Sequence, residues 1–369
     1  MTLLEKIDKA LERFGLVGDF DYASVLRNNG ISVVFVKDEE SFVEKLPEDR
    51  PDVLVVTDSL FSGNYLDKLG IYKNASVWKI EEESVEEAEK VIDAFPECSS
   101  VIGFGGGRPL DVAKMAAFRM SKPFVSVPTA PSHDGLISRN CALKVDGVKK
   151  SFSTVFPSSV IIPEFLWKGS GTLKFSGMLD VLSNVTALQD VSLSIDNSEF
   201  KPSSESVICS LMAVKSLILG RDMDSFSRAL ILSGLSMKDN SNCGSGSEHE
   251  IEKILASSFG SKYSHGQLAG AGTLIAAKVY EMHSDKMPSG LFFNSCMMYK
   301  DLVSVFLDCG VLDFALLPIV EEKDSLEKCF KKLYHVRPER YTLWNLIDPE
   351  DIDWGLVLDS VAGSSCGKD

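Results

Sequence analysis

Three residues far apart in the chain have the chemistry of a metal site: Asp180 in SGMLDVLSN, His249 in GSEHEIEKIL and His265 in YSHGQLAGAG. Histidine is scarce, with five in 369 residues, and these two sit where small-residue loops meet helical patterns. Asp180 lies on a helical stretch that is apolar around it (Leu179, Val181, Leu182), and a charge in that setting needs a partner. One carboxylate and two imidazoles suit zinc or a similar divalent ion, with a fourth position open to substrate. A second reading stays open, a surface aspartate and two capping or hydrogen-bonded histidines, because no short spacing such as HExxH joins the three. His133 belongs to a loop treated next, and His283 and His335 read as surface or packing residues.

A different chemistry is offered by VIGFGGGRPLDVAK, Val101 to Lys114. Glycines between a strand and a helix let backbone approach a ligand, and a helix N-terminus presents unpaired N–H groups to an anion. Gly105, Gly106 and Gly107 therefore fit a pyrophosphate cradle, although Arg108 stands where the usual dinucleotide fingerprint has its third glycine. Asp111 either caps this turn or faces the ligand. Next comes SVPTAPSHDG, which places Thr129, Ser132, His133 and Asp134 just past the carboxyl end of a strand. Ligands of open α/β sheets sit at such strand ends, whereas an ordinary polar loop would use Ser and Asp for local turns.

These residues need elements to hold them. Short β-branched runs at Ile31–Val36, Asp52–Val56, Ser76–Ile80, Ser99–Phe104, Pro123–Val127 and Ser158–Ile162 alternate with helical periodicity at Ser84–Phe95 and Pro109–Met120. That order predicts a mostly parallel sheet covered by helices. From about Phe165 the pattern becomes long and helical, at Phe175–Asp190, Glu205–Gly220, Asp224–Lys238 and Gly266–Met282, with NSNCGSGS (Asn240–Ser247) as a loop between helices. The expected architecture is α/β plus all-α. A Rossmann-like nucleotide domain spans 1–165 and a helical metal- and substrate-binding domain spans 166–369, with the active site in the cleft between them.

A net charge of −15 argues against a nucleic-acid or anionic-membrane partner, while leaving room for a small phosphorylated ligand. The N-terminus MTLLEKIDKALERFGL lacks the pattern of a signal peptide, and no apolar run reaches the roughly 18 residues needed to span a bilayer. Eight scattered cysteines, Cys366 the last, form no CxxC pair and read as free thiols of a reducing compartment. The expectation is a cytoplasmic protein without membrane insertion, its assembly into a homo-oligomer left open.

Taken in order, GFGGGRPLDVAK, VPTAPSHDG, GMLDVLSN, GSEHEIEKIL and SHGQLAGAGTL resemble the sn-glycerol-1-phosphate dehydrogenase family. That family is a branch of the iron-containing alcohol dehydrogenase and dehydroquinate-synthase-like superfamily. The similarity runs from about Asp52 into the segment 337–342. It implies reversible reduction of dihydroxyacetone phosphate by NADH or NADPH with a divalent metal, usually zinc. By the same resemblance, Asp180, His249 and His265 hold the metal. Asp58, Gly105, Gly106, Gly107, Arg108, Pro109, Leu110, Asp111, Thr129, Ala130, Pro131, Ser132 and Ser138 bind the nucleotide, and Asp134 faces the substrate. Lys253 stands where the family often has a second histidine. Four residues after His249 it shares a helix face with it, so it is a candidate partner for the substrate phosphate, or else a solvated helix lysine. Other departures are Gln267 after His265–Gly266, Ile162–Pro163 at the strand before the boundary, and Met178–Leu179 ahead of Asp180. A cyclising lyase, another polyol dehydrogenase and a non-catalytic binding protein are the alternatives.

Overall fold

A computed structural model describes the chain except residues 17, 19, 196, 198–200, 221, 331, 332, 334, 335, 338 and 365–369. The readings of His335 and Cys366 fall outside the described residues, as does position 338 within the resembling segment. The chain divides into two compact units, Asp19–Lys174 and Met1–Gly18 with Phe175–Asp369.

The first unit is built on six parallel strands: β1 (Ser32–Val36), β2 (Val53–Asp58), β3 (Ser76–Ile80), β4 (Ser100–Gly105), β5 (Phe124–Pro128) and β8 (Ser159–Pro163). They lie in the order β1-β8-β5-β4-β2-β3. The central strands are nearly continuous runs of buried residues, as expected of a parallel sheet covered on both faces. One core cluster joins Val36, Phe42, Val53, Val55, Tyr65, Leu66, Ile102, Phe104, Val127 and Ile161. Register matters most at the carboxyl ends. Val56 pairs with Gly103, and Gly105 pairs with Pro128, so Asp58, Gly105 and Thr129 come out at one edge of the sheet.

Two strands lie outside the sequence reading, the antiparallel hairpin β6 (Asn140–Val145) and β7 (Val148–Ser153). Its turn is Asp146–Gly147, both at positive φ, which is the Asp-Gly signal of a two-residue hairpin loop. The helix after β4 runs from Gly107 to Met120, two residues earlier than the periodicity suggests.

The second unit is helical and includes the N-terminus. Helix Leu3–Arg13 is closed by a Thr2–Glu5 capping box and buries Leu3, Ile7, Ala10 and Leu11. Lys6 pairs with Asp301 and Lys215 with Asp8, so residues 1–18 count with the helical unit rather than with a nucleotide domain over 1–165. The division at Lys174/Phe175 likewise lies later than 165/166. Three helices carry the candidate ligands: Thr172–Ser194 with Asp180, Ser247–Phe259 with His249, and His265–Met282. The first is buried nearly all round, the mark of a core helix. Ser241–Gly244, inside the expected loop, forms a short 3₁₀ turn. No single helix among the described residues is long and apolar enough to cross a membrane.

Candidate functional site

The His265–Met282 helix approaches both other ligand helices closely, and its glycines permit it. A Cβ on Gly266 would sit 1.9 Å from the Ser176 carbonyl oxygen, and one on Gly272 would sit 2.3 Å from the Glu248 carbonyl oxygen. The small residues of HGQLAGAG thus serve the packing that brings the three ligands together.

Asp180, His249 and His265 offer ligand atoms that all lie within 4.8 Å of one another. Asp180 Oδ1 is 3.6 Å from His249 Nε2 and 3.2 Å from His265 Nε2. Behind each imidazole stands a carboxylate. Glu248 Oε1 is 2.8 Å from His249 Nδ1, and Glu252 Oε1 is 3.0 Å from His265 Nδ1. A carboxylate on Nδ1 holds the proton there and turns the Nε2 lone pair inward, the arrangement found behind metal-bound histidines.

The electrostatics agree with this donor set. Burial alone would raise the Asp180 carboxyl, but hydrogen bonds from the Nε2 atoms of both histidines, in their protonated imidazolium form, hold it well below the usual carboxylate range. Burial alone would lower both imidazoles. Bonds to Asp180 and Glu248 raise His249, and Glu252 with Asp180 raises His265 well above its ordinary value. Three carboxylates around two imidazoles leave negative charge in excess, and Glu248 Oε2 is buried without a partner among the described residues. A divalent cation fits these residues.

Further acids lie beside the centre. Burial and the Glu248 charge push Asp190 up to about 7, and burial with the Asp190 charge pushes Glu250 to about 8. Cations face them. Arg337 donates to Ser245 Oγ at 2.7 Å, and Arg340 donates to the Ser245 carbonyl at 2.6 Å. Lys253, half-buried one turn after His249, has no hydrogen bond or ion pair among the described residues. Burial, then Arg337 and Arg340, lower its ammonium to about 8 against the opposing pull of Glu252 and Glu339.

The glycine loop is built differently. Gly105 ends β4 at φ +155, Gly106 is the N-cap of the next helix and Gly107 its first residue. The Thr129 N–H donates to the Gly105 carbonyl at 3.0 Å, and the Thr129 hydroxyl lies 3.0 Å from Ser62 Oγ. A Cβ on Gly105 would strike Pro109 at 2.4 Å, with Ser62 Oγ and Asp58 Oδ2 just beyond at 3.2 and 3.3 Å. Asp58 itself accepts the Leu60 N–H at 2.8 Å. At Gly107 a Cβ would meet His133 Nε2 at 2.2 Å, since that ring lies across the helix start while its Nδ1 accepts the Gly135 N–H at 2.9 Å. Around Gly106 there is open space. Pro109 and Leu110 continue the first helical turn, and Ala130, Pro131 and Ser132 continue the loop from Thr129.

Three expected nucleotide residues have other engagements. Asp111 accepts the Ala142 N–H at 3.1 Å and lies 3.7 Å from Lys114 Nζ, so it ties the helix to the β6–β7 hairpin. Ser138 accepts the Asn140 N–H at 3.0 Å, a local turn. Arg108 donates to the Glu81 carbonyl at 3.1 Å, away from the glycines. Asp134 is buried, its carbonyl accepting the Ile137 and Ser138 N–H groups.

Residues 32–164 match the family model described as iron-containing alcohol dehydrogenase. A glycerol-1-phosphate dehydrogenase [NAD(P)+] of Methanothrix thermoacetophila is 30% identical over 255 residues, covering 66% of this chain and 68% of that one. The chain belongs to the iron-containing alcohol dehydrogenase family. The glycerol-1-phosphate dehydrogenase of Methanococcus maripaludis is 33% identical over 216 residues, and the match spans 54% of this chain and 63% of that relative's length. The fold agrees with the crystal structure of glycerol dehydrogenase from Schizosaccharomyces pombe, at a TM-score of 0.65 and 17% identity, covering 90% of this chain and 88% of that one.

Within this member of the family several neighbours of the site carry little signal in the sequence. Glu248 and Glu252 flank His249 in the same helical turn pattern, a visible signal once the histidine is taken as a ligand. Ser62, Asp190, Arg337 and Arg340 carry no local signal. Lys114, fully buried, donates to the Gly135 and Asn140 carbonyls at 2.9 and 2.7 Å and fixes the loop that holds His133.

Proposed function

We propose that this chain is a metal-dependent, NAD(P)-linked dehydrogenase of the cytoplasm that interconverts dihydroxyacetone phosphate and sn-glycerol 1-phosphate. The observation that carries the reading is the joint presence of two features on the His249 helix. A carboxylate–imidazole centre lies at one turn, and at the next lies a half-buried lysine with no salt bridge among the described residues, its ammonium lowered by burial and by Arg337 and Arg340. The first suits an alcohol or ketone oxygen and the second suits a phosphate. The names of the relatives carry one member of the substrate pair, glycerol 1-phosphate.

In this reading Asp180, His249 and His265 hold a divalent ion, zinc by preference, while Glu248 and Glu252 keep both Nε2 atoms aimed inward. When bound, the ion supplies Lewis acidity toward the substrate's C2 oxygen and the nicotinamide supplies or takes the hydride. Lys253, Arg337 and Arg340 receive the phosphate. The backbone of Gly105–Gly107 with Thr129 cradles the nucleotide diphosphate, Asp58 takes ribose hydroxyls, and Asp134 is assigned to the substrate on resemblance alone. His133, pinned between Gly107 and Gly135, shapes the cradle.

The test is oxidation of NADH and of NADPH with dihydroxyacetone phosphate, run beside dihydroxyacetone, and the reverse reaction on glycerol. Turnover confined to the phosphorylated ketone is the expected result. Equal turnover of dihydroxyacetone would move the assignment to an unphosphorylated polyol. No turnover with any of them would remove the dehydrogenase reading.

A further inference from the structure

The N-terminus of the His249 helix is capped by another helix. Its own N-cap is Gly246, which has no side chain to offer. Asp190, ten residues beyond Asp180 on the same buried helix, supplies the missing acceptor: its Oδ2 takes the Ser247 N–H at 2.5 Å. Room for that carboxylate exists because residue 246 is glycine, since a Cβ there would lie 2.3 Å from Asp190 Oδ2. The other oxygen, Oδ1, takes the Tyr280 hydroxyl at 2.6 Å, and Tyr280 belongs to the helix that begins at His265. The same Oδ1 takes the Leu343 N–H at 2.8 Å, just after the segment bearing Arg337 and Arg340.

We infer that Asp190 is a positioning residue for the metal centre: one buried carboxylate ties together the three helices that bring Asp180, His249 and His265 to a common point. Each of its three partners is a donor, and each sits on a different piece of the site. His249 is the third residue of the helix whose first N–H Asp190 holds, so loss of that bond frees the turn that aims the imidazole. A negative charge at this end also complements the helix dipole. Asparagine cannot replace it. With one oxygen and one NH₂ group, an amide meets either the Ser247 N–H or the Leu343 N–H with a donor.

The inference rests on the metal-centre reading, and the experiment separates the two. Co²⁺ binding to the full chain is measured at pH 8 by calorimetry and by its visible absorption, for wild type, Asp180→Ala, Asp190→Asn, Tyr280→Phe and Leu217→Ala. Leu217 is buried on the Ser204–Leu219 helix, away from the clasp, and its variant controls for lost stability. Expected is a Kd raised about 10–100-fold with an altered cobalt spectrum in Asp190→Asn, as for loss of groups that orient metal ligands. Tyr280→Phe raises Kd less, and Leu217→Ala lowers the apo Tm with Kd and spectrum unchanged. An Asp190→Asn protein that loses Tm but keeps wild-type Kd and spectrum overturns the inference. If that variant does not fold, an unchanged Kd and spectrum in Tyr280→Phe overturns it. Equal binding by wild type and Asp180→Ala refutes the metal centre itself, and the clasp falls with it.

Discussion

On the proposed reading, the glycine cradle and the carboxylate–imidazole centre hold their ligands in opposite ways. The cradle uses backbone from consecutive residues, Gly105 to Gly107, and its side-chain requirement is chiefly that side chains be absent. The centre uses side chains from three separate helices, which meet because those helices pack at close range through Gly266 and Gly272. A backbone site tolerates much change nearby as long as the turn keeps its shape. A side-chain site is as accurate as the helix packing behind it.

The largest effect should come from the centre. Asp180→Ala removes the one carboxylate shared by both imidazoles, the buried His249 and the exposed His265. Metal content should fall to background, and turnover should drop by at least about 10³-fold, the worth of several kcal/mol of Lewis-acid stabilisation. Nucleotide affinity measured on the metal-free protein should stay unchanged. A variant that retained stoichiometric metal would dissolve the contrast between the two regions.

The cradle gives a more selective effect. A side chain at Gly106 enters open space from an ordinary extended backbone, whereas one at Gly107 collides with His133. Gly106→Val should therefore fold with wild-type Tm while nucleotide Kd rises roughly 10–150-fold, the loss of one charge-assisted backbone bond. Gly107→Ala should instead lower Tm, because the ring or the helix start must shift. If Gly106→Val bound nucleotide normally, the diphosphate would have to lie elsewhere.

Smaller still is the effect of the acids behind the imidazoles. Glu252→Gln keeps an oxygen for His265 Nδ1 but loses the charge, and metal affinity should fall roughly 10–100-fold, as is usual for such partners. Equilibrium dialysis with zinc measures it. An unchanged affinity would mean that packing alone orients His265.

These expectations show why some parts were legible in the sequence. The six parallel strands announced themselves as β-branched runs, and the glycine loop as a motif, because both are local. Asp180, His249 and His265 stood out by scarcity and setting, although nothing in their spacing joined them. Asp111 reads as a cap of the turn or a ligand contact from its position near a helix start. In the fold it accepts the Ala142 N–H of a hairpin that the Asp146–Gly147 turn signal marks. Residues 1–18 read as the start of the sheet domain by sequence order, but their buried apolar face and the ion pairs of Lys6 and Asp8 place them with the helices. Asp190 shows the limit most clearly. An acid in a helix says nothing about which three donors tertiary packing will deliver to it.

Lys253 provides the finest discrimination between a bound phosphate and none. Its ammonium is held near 8, below its ordinary 10.5, first by burial and then by Arg337 and Arg340, while Glu252 and Glu339 act the other way. The charged form that a phosphate needs is therefore lost as pH rises through about 8. With dihydroxyacetone phosphate, kcat/KM should fall severalfold between pH 7 and 9.5, the arginines retaining part of the attraction. Stability should move oppositely. A lysine whose folded pKa is depressed destabilises the folded state while it stays protonated, and that penalty is relieved as pH climbs from about 8 toward 10.5. Lys253→Ala should abolish this alkaline limb and raise KM at pH 7 by the equivalent of about 1–3 kcal/mol, with metal content and nucleotide affinity unaltered. Lys253→Arg, charged throughout, should keep a low KM and shift the limb beyond the measured range. The comparison that decides is with dihydroxyacetone, which has no phosphate to offer. If its profile shows the same limb, the titrating group serves the common chemistry of both ketones, and the cations near Ser245 are not a phosphate site.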